Sequence, residues 1–192
     1  MEPDAVPSAL PIAAADWRGC LPAPDRTGRA ARIAERSRRE PVAPEAERAD
    51  VKIRRAKPTD AGRIAALSGQ LGYPTTKSEM SARLGQALKQ RNGACFIAET
   101  PEHGVIGWVH VSVTPLLEAA RRAEVNGLVV DEQVRSQGAG GLLLEAAEQW
   151  ARKMRCRGMS VRSNVVRERA HEFYLRRGYE HYKTQKAFRK KL

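Results

Sequence analysis

The sequence predicts an α/β domain, a mixed β-sheet with helices on both faces, preceded by a segment that does not belong to it. Three observations point there. From residue 51 onward, stretches with strand alternation and stretches with helical period succeed one another. The composition shifts near residue 50. Late in the chain, an apolar strand passes through a glycine-rich turn into the most regular helix of the sequence.

The 192 residues suffice for one domain with an appendage. Apolar residues make up 42% and charged residues 29%, which excludes collagen-like and membrane-embedded chains. No run approaches the roughly 18 apolar residues of a membrane span. Glu2 and Asp4 stand where a secretory signal carries basic residues, and Pro3, Pro7 and Pro11 break the only mildly apolar stretch. Cys20, Cys95 and Cys156 are widely spaced and odd in number, which argues against a disulfide framework and for a reducing, cytoplasmic setting. No membrane partner and no metal are implied.

Residues 1–50 are rich in Pro, Ala, Arg and Glu and poor in large apolar side chains. Apart from a short helix over Thr27–Arg39 they show no periodicity, so they are expected to form a disordered extension to a domain spanning 51–192. The formal charge of the chain is +12, and the domain over 51–192 carries a net +13. Residues 1–50 carry a net −1, and residues 152–192 alone carry a net +11. Such a balance favours anionic partners: a phosphorylated cofactor, a nucleic acid or a membrane surface.

Val51–Arg54 alternates as a strand. Pro58-Thr59-Asp60 opens a helix with Ile64, Leu67, Ser68 and Leu71 at helical spacing, and Gly72 ends it. Thr76-x-x-Glu79 is a capping box for a second helix reaching Lys89. Cys95–Glu99 and Val105–Thr114 are strands joined by a turn at Pro101–Gly104, and Val125–Val130 is another strand. Gly140–Arg155 is the clearest helix, with Leu143, Ala146, Ala147, Trp150, Ala151 and Met154 on one face and Gly158 closing the turn that follows. A strand over Met159–Val165, a helix over Glu168–Arg177 stopping at Gly178, and one or two strands within Tyr179–Lys190 complete the order.

The turn before the clearest helix reads Arg135-Ser136-Gln137-Gly138-Ala139-Gly140-Gly141. Three glycines in four residues let backbone N–H groups converge on an anion at the positive end of a helix dipole. No Gly-Lys-Ser/Thr follows, so it is not a P-loop, and the glycine spacing misses the dinucleotide fingerprint. The alternative is a glycine-rich helix cap without a ligand.

Arg135-x-x-Gly138-x-Gly140 after an apolar strand resembles the acyl-CoA diphosphate loop of the GNAT acetyltransferase superfamily. Ser163-Asn164 followed by Ala170-x-x-Phe173-Tyr174 and Gly178-Tyr179 is similar to that family's distal segment, in the same order and at the same spacing. The resemblance covers about residues 51–190. It implies a twisted mixed sheet whose strands Val125–Val130 and Met159–Val165 splay apart into a slot for the pantetheine arm of acetyl-CoA. It also implies that the backbone of Leu128, Val129 and Val130 pairs with that arm, that Arg135, Ser136, Gln137, Gly138, Ala139 and Gly140 hold the diphosphate, and that Asn164 bonds the arm. Many relatives pair as homodimers, but no interface sequence is diagnostic here.

The implied reaction is acetyl transfer to a primary amine, most simply one on a small molecule. An alkyl ammonium is only about one part in 2,500 neutral at pH 7, an obstacle of about 4.6 kcal/mol, so a base or a proton path is needed. Tyr174 is implied as the acid that protonates the departing thiolate. The alternative is a core aromatic beside Phe173, and a buried hydroxyl needs a partner. Glu124, just before the cofactor strand, is the candidate base, against a solvated strand-end carboxylate. His110, Trp108 and Tyr73 are candidate acceptor contacts, each equally explicable by packing. Two other function classes remain: an acyl-CoA sensor without catalysis, and a basic nucleic-acid-binding module, for which no helix-turn-helix, zinc finger or RNA-binding signature is present.

Overall fold

Alternating burial along the strands sets the architecture of the folded chain. In the central strand Val109, Val111 and Val113 are buried on one face, while Trp108, His110 and Ser112 between them face the other side and are only partly covered. The structure is a computed structural model that describes residues 50–118, 120–134 and 138–191. The extension before residue 50, with Thr27–Arg39 and Cys20, lies outside the described residues, as do Arg135, Ser136 and Gln137.

Five strands form one sheet in the order β1 (Lys52–Arg55), β2 (Gly93–Thr100), β3 (Gly104–Val113), β4 (Arg122–Val130) and β5 (Gly158–Val161). The first three pairings are antiparallel and β4–β5 is parallel. Helices α1 (Ala61–Gln70) and α2 (Lys77–Lys89) follow β1, α3 (Ala139–Lys153) joins β4 to β5, and α4 (Glu168–Arg176) follows β5. The helices cover both faces. Against α3, Leu143, Leu144, Ala147 and Trp150 meet Val109, Val111, Ala123 and Val125. On the other face Ala61, Ile64 and Leu84 meet Cys95 and Ile97 in a smaller cluster that Trp108 borders.

Local chemistry places the ends of these elements. Thr76 Oγ1 accepts from the Glu79 amide and the Glu79 carboxylate accepts from the Thr76 amide, so the capping box forms as its spacing predicts. Gly72 (φ 89°) leaves α1, and Gly178 (φ 82°) leaves α4 with the Tyr179 amide bonded to the Tyr174 carbonyl. The edge strand β1 is charged. Its Arg54 binds Asp60 and Glu99, both at 2.7 Å, and buries the Asp60 carboxylate at the start of α1.

Four expectations are corrected. Residues 179–191 form no strand: Tyr182 and Phe188 are exposed among Lys183, Lys186, Arg189, Lys190 and Lys191, so their alternation has no apolar face to bury. β5 stops at Val161 instead of Val165, because Asn164 turns the chain, its side chain accepting from the Val166 amide and its carbonyl from the Arg167 amide. Gly158 opens β5 opposite Arg122; the turn after α3 is made by Arg155 at φ 58°. Pro58–Asp60 is a separate 3-10 turn, and α1 begins only at Ala61.

Candidate active site

The site grows from two irregularities in β4. The first is its pairing with β5, which runs from Arg122↔Gly158 to Val125↔Val161 and ends, while pairing with β3 continues to Val130↔Gly107. Past Val125 the two parallel strands part. The second is a β-bulge. His110 stands opposite Gly127 and Val111 opposite Val125, leaving Asn126 as the extra residue. The bulge re-aims side chains at the point where the strands diverge.

Leu128, Val129 and Val130 occupy the half of β4 beyond the divergence, opposite Val109, Trp108 and Gly107. The chain then reaches Asp131, a buried carboxylate held by Arg63 of α1 and Gln70, with its other contact the Gln133 amide. Gln70 also accepts from the Glu132 amide. These bonds fix the end of β4 to α1, and the Gln133 amide foremost holds the Asp131 carboxyl below its ordinary range.

Gly138 caps α3 in the left-handed conformation (φ 80°), its carbonyl accepting from the amides of Gly141 and Leu142. Ala139 is buried. A Cβ on Gly140 would touch Phe173 and Val130, each at 3.6 Å, and one on Gly141 would land on the Arg177 guanidinium. Gly138 thus takes a conformation that L side chains rarely adopt, and Gly140 packs against Phe173 and Val130, at the N-terminus of α3, the positive end of the helix.

Tyr174 lies mid-way along α4, its ring edge-on to Phe173 (5.2 Å) and tilted to Tyr179 (5.6 Å). Burial pushes its phenol up to about 12, and the nearby Arg167 cation opposes that rise. The hydroxyl is therefore protonated at neutral pH. Tyr179 is set apart by its own bond to Glu148. Asn164 is exposed and serves the turn before α4. Its carbonyl also lies 3.0 Å from His171 Nε2.

On the face opposite α3, Asn126 Nδ2 donates to Ser112 Oγ (2.8 Å) and approaches His110 Nδ1 (3.5 Å). Burial lowers the His110 pKa, so the ring is neutral at neutral pH. Its Nε2 and the Trp108 indole Nε1 are buried without a partner among the described residues. The Trp108 ring crosses β4 at Gly127, where a Cβ would stand 2.8 Å from Cη2. Glu124 is half-buried further along β4, with Oε1 2.5 Å from Arg162 Nε.

His110, Trp108 and Glu124 thus share one face with the bulge. Tyr73 is 68% exposed on the α1–α2 connection and joins no contact there. Asn126, Ser112, Gly127 and Arg162 were missed by sequence reasoning. Asn-Gly inside an apolar strand is the one signal for the bulge.

The family model described as the acetyltransferase (GNAT) family matches residues 64–179. A Klebsiella aerogenes protein described as aminoglycoside N(6')-acetyltransferase type 1 is 25% identical over 146 residues, 73% of this chain and 96% of its own. Among solved structures, aminoglycoside N-acetyltransferase AAC(6')-Iy in complex with CoA superposes with a TM-score of 0.66 at 20% identity, over 74% of this chain and 95% of its own. A Bacillus halodurans C-125 protein described as a transcriptional regulator gives 0.63 at 23% identity, over 72% and 99%. At these identities the structural likenesses establish the fold.

Proposed function

The chain belongs to the GNAT acetyltransferase family and is an N-acetyltransferase, and from that premise we propose that it carries the acetyl group of acetyl-CoA to the primary amine of a small molecule, in the slot between β4 and β5. The observation that carries this reading is the parting of two parallel strands after Val125↔Val161, next to a helix that opens on Gly138. The residues present fit the co-substrate. Leu128, Val129 and Val130 offer a strand edge to the pantetheine amides, and the amides from Gly138 to Gly140 offer donors to the diphosphate, a role we extend in the sequence motif to Arg135, Ser136 and Gln137. Asn164 stands at the end of β5, where the arm would pass.

In the reaction a nitrogen–carbon bond forms and the carbon–sulfur bond of the thioester breaks. The amine loses a proton and the sulfur gains one. Glu124, with Arg162 on one oxygen, takes the amine proton through its second oxygen or a water. Tyr174 supplies a hydrogen bond, and the proton, to the departing sulfur. A thiol near 8.5 is more acidic than a phenol pushed up to about 12. Transfer from Tyr174 alone therefore runs uphill, and the phenol passes its proton to the sulfur as the proton released by the amine, by way of Glu124 or water, restores it. Trp108 and His110 line the acceptor side, and Tyr73 stands exposed on the connection beyond them.

The acceptor class that the K. aerogenes relative's name describes, an aminoglycoside, is one arm of the test, beside polyamines, amino acids and peptides. Calorimetry at low salt detects acetyl-CoA, and thiol release reports turnover over that panel. Gly138→Val, which forces a β-branched residue to φ 80°, abolishes binding. Tyr174→Phe slows transfer by about 10²–10⁴-fold and leaves acetyl-CoA affinity intact. Binding without turnover on any amine overturns the reading in favour of a sensor.

A further inference from the structure

Arg167 stands where the acceptor side and the leaving-group side of the site meet. Its Nη2 donates to the Leu71 carbonyl at 2.6 Å, across 96 residues of chain. Leu71 in turn reaches the bulge: a Cβ on Gly127 would lie 3.8 Å from Leu71 Cδ2 and 2.8 Å from the Trp108 ring. Gly127 sits just past the residue where β5 leaves β4. From the other side, the same guanidinium acts on the Tyr174 phenol. Its base is pinned, because the Arg167 amide donates to the Asn164 carbonyl and the Arg167 carbonyl accepts from the amides of Ala170 and His171.

Among the described residues no carboxylate neutralises the charge so placed. Glu124 is taken by Arg162, Asp131 by Arg63 and Gln70, and Glu79 by the hydroxyls and amide of Thr75 and Thr76. Glu168, next in the chain, is exposed on the first turn of α4 and makes no ion pair with Arg167. Among the described residues Arg167 forms no ion pair, and of the five N–H donors a guanidinium carries only one set is used, on Leu71. A half-buried, unpaired cation repels a second cation and binds an anion through charge-assisted hydrogen bonds.

We propose that Arg167 binds an anionic group, carboxylate or phosphate, carried by the acceptor beside its amine, so that the preferred acceptor is an amine with a neighbouring anion and not a polycation. This rests on the N-acetyltransferase reading. The same cation disfavours the ammonium form of the amine and so promotes the free base that attacks the thioester. The planar fork suits a two-oxygen partner better than a point charge would.

The test compares kcat/KM within matched pairs: lysine against lysinamide for the carboxylate, O-phosphoethanolamine against ethanolamine for the phosphate, and kanamycin as the polycation. The anionic member of at least one pair is favoured by about tenfold or more, and kanamycin is the poorest acceptor. Arg167→Gln brings that ratio to about 1, and Arg167→Lys, which keeps the charge, retains a clear part of it. Melting curves verify that the variants fold, and the wild-type ratios decide alone if the Gln variant does not. Equal rates within both pairs, a preference for kanamycin, or a ratio that survives Arg167→Gln overturns the inference while leaving the transferase reading in place. Acetyl-CoA binding with no thiol release from any acceptor overturns both.

Discussion

The two faces of the sheet are built for different work. Toward α3 the surface is apolar and sealed, with Ile106, Val109, Val111, Leu143 and Leu144 buried almost completely. Toward α1 and α2 it is sealed only over β2. From Trp108 across to Asn126 the side chains turn polar, two buried nitrogens lack partners among the described residues, and β4 carries its bulge. One face holds the fold together, and the other carries irregular backbone and polar groups where we place the chemistry. Native proteins tolerate such local inconsistency where the surrounding packing overdetermines it.

The sharpest way to break the contrast is to damage the sealed face. Leu143→Ala leaves a cavity among Val109, Ala147 and Gly107, and costs about 2–5 kcal/mol by urea denaturation followed by circular dichroism. A loss below about 1 kcal/mol would mean that this face carries no more of the stability than the open one.

Next in size is the polar anchor at the start of α1. Asp60→Asn removes the charge that Arg54 binds and costs about 1.5–3 kcal/mol at neutral pH. The Arg54 hydrogen bond foremost holds the Asp60 carboxyl below its ordinary range. A carboxyl lowered by folding contributes stability that is present above its unfolded value near 3.9 and is lost as pH falls through the folded value. The gap between wild type and variant in denaturation midpoint is therefore constant from about pH 5 upward and closes as the pH drops below about 4. A gap that stays constant down to pH 2 would show that the interaction does not depend on charge.

On the open face the expected loss is smaller in stability and larger in function. Gly127→Ala drives a methyl into the Trp108 ring, which must move, at a cost of about 1–3 kcal/mol. The displaced ring lies beside Leu71, so the acceptor KM rises more than the acetyl-CoA Kd does. Equal changes in both would place the bulge outside the acceptor wall.

The same asymmetry explains what the sequence made legible. The α3 side announces itself by period: Leu143, Ala147, Trp150 and Ala151 repeat on one helix face, and all four are buried. The turn at Gly138 is legible because only glycine takes φ 80° there without strain. The acceptor side that we propose depends on contacts between distant residues, and those leave no local pattern. Arg167 meets Leu71 across the whole cofactor segment, and Glu124 meets Arg162 across α3. The tail misled in the opposite sense. His181-Tyr182-Lys183 and Ala187-Phe188-Arg189 carry strand propensity, but Tyr182 and Phe188 find no apolar surface to cover. Propensity without a buried face did not make a strand.

The smallest expected effect tests whether the acceptor wall is positioned by α2 as well as by Arg167. Thr76→Ala removes one half of the capping box, the bond from the Glu79 amide to Thr76 Oγ1, and costs about 1 kcal/mol. Glu79 still accepts from the Thr76 amide and the Thr75 hydroxyl, so α2 keeps a partial cap. What loosens is the connection from Gly72 to Thr76, which carries Tyr73 and ends one residue from the carbonyl that Arg167 holds. If α2 positions that connection, the acceptor KM rises several-fold while acetyl-CoA affinity, which we assign to the far side of β4, does not move. If Arg167 alone positions it, the melting temperature falls and both kinetic constants stay where they were. The split between melting temperature and acceptor KM therefore assigns the wall to one anchor or to two.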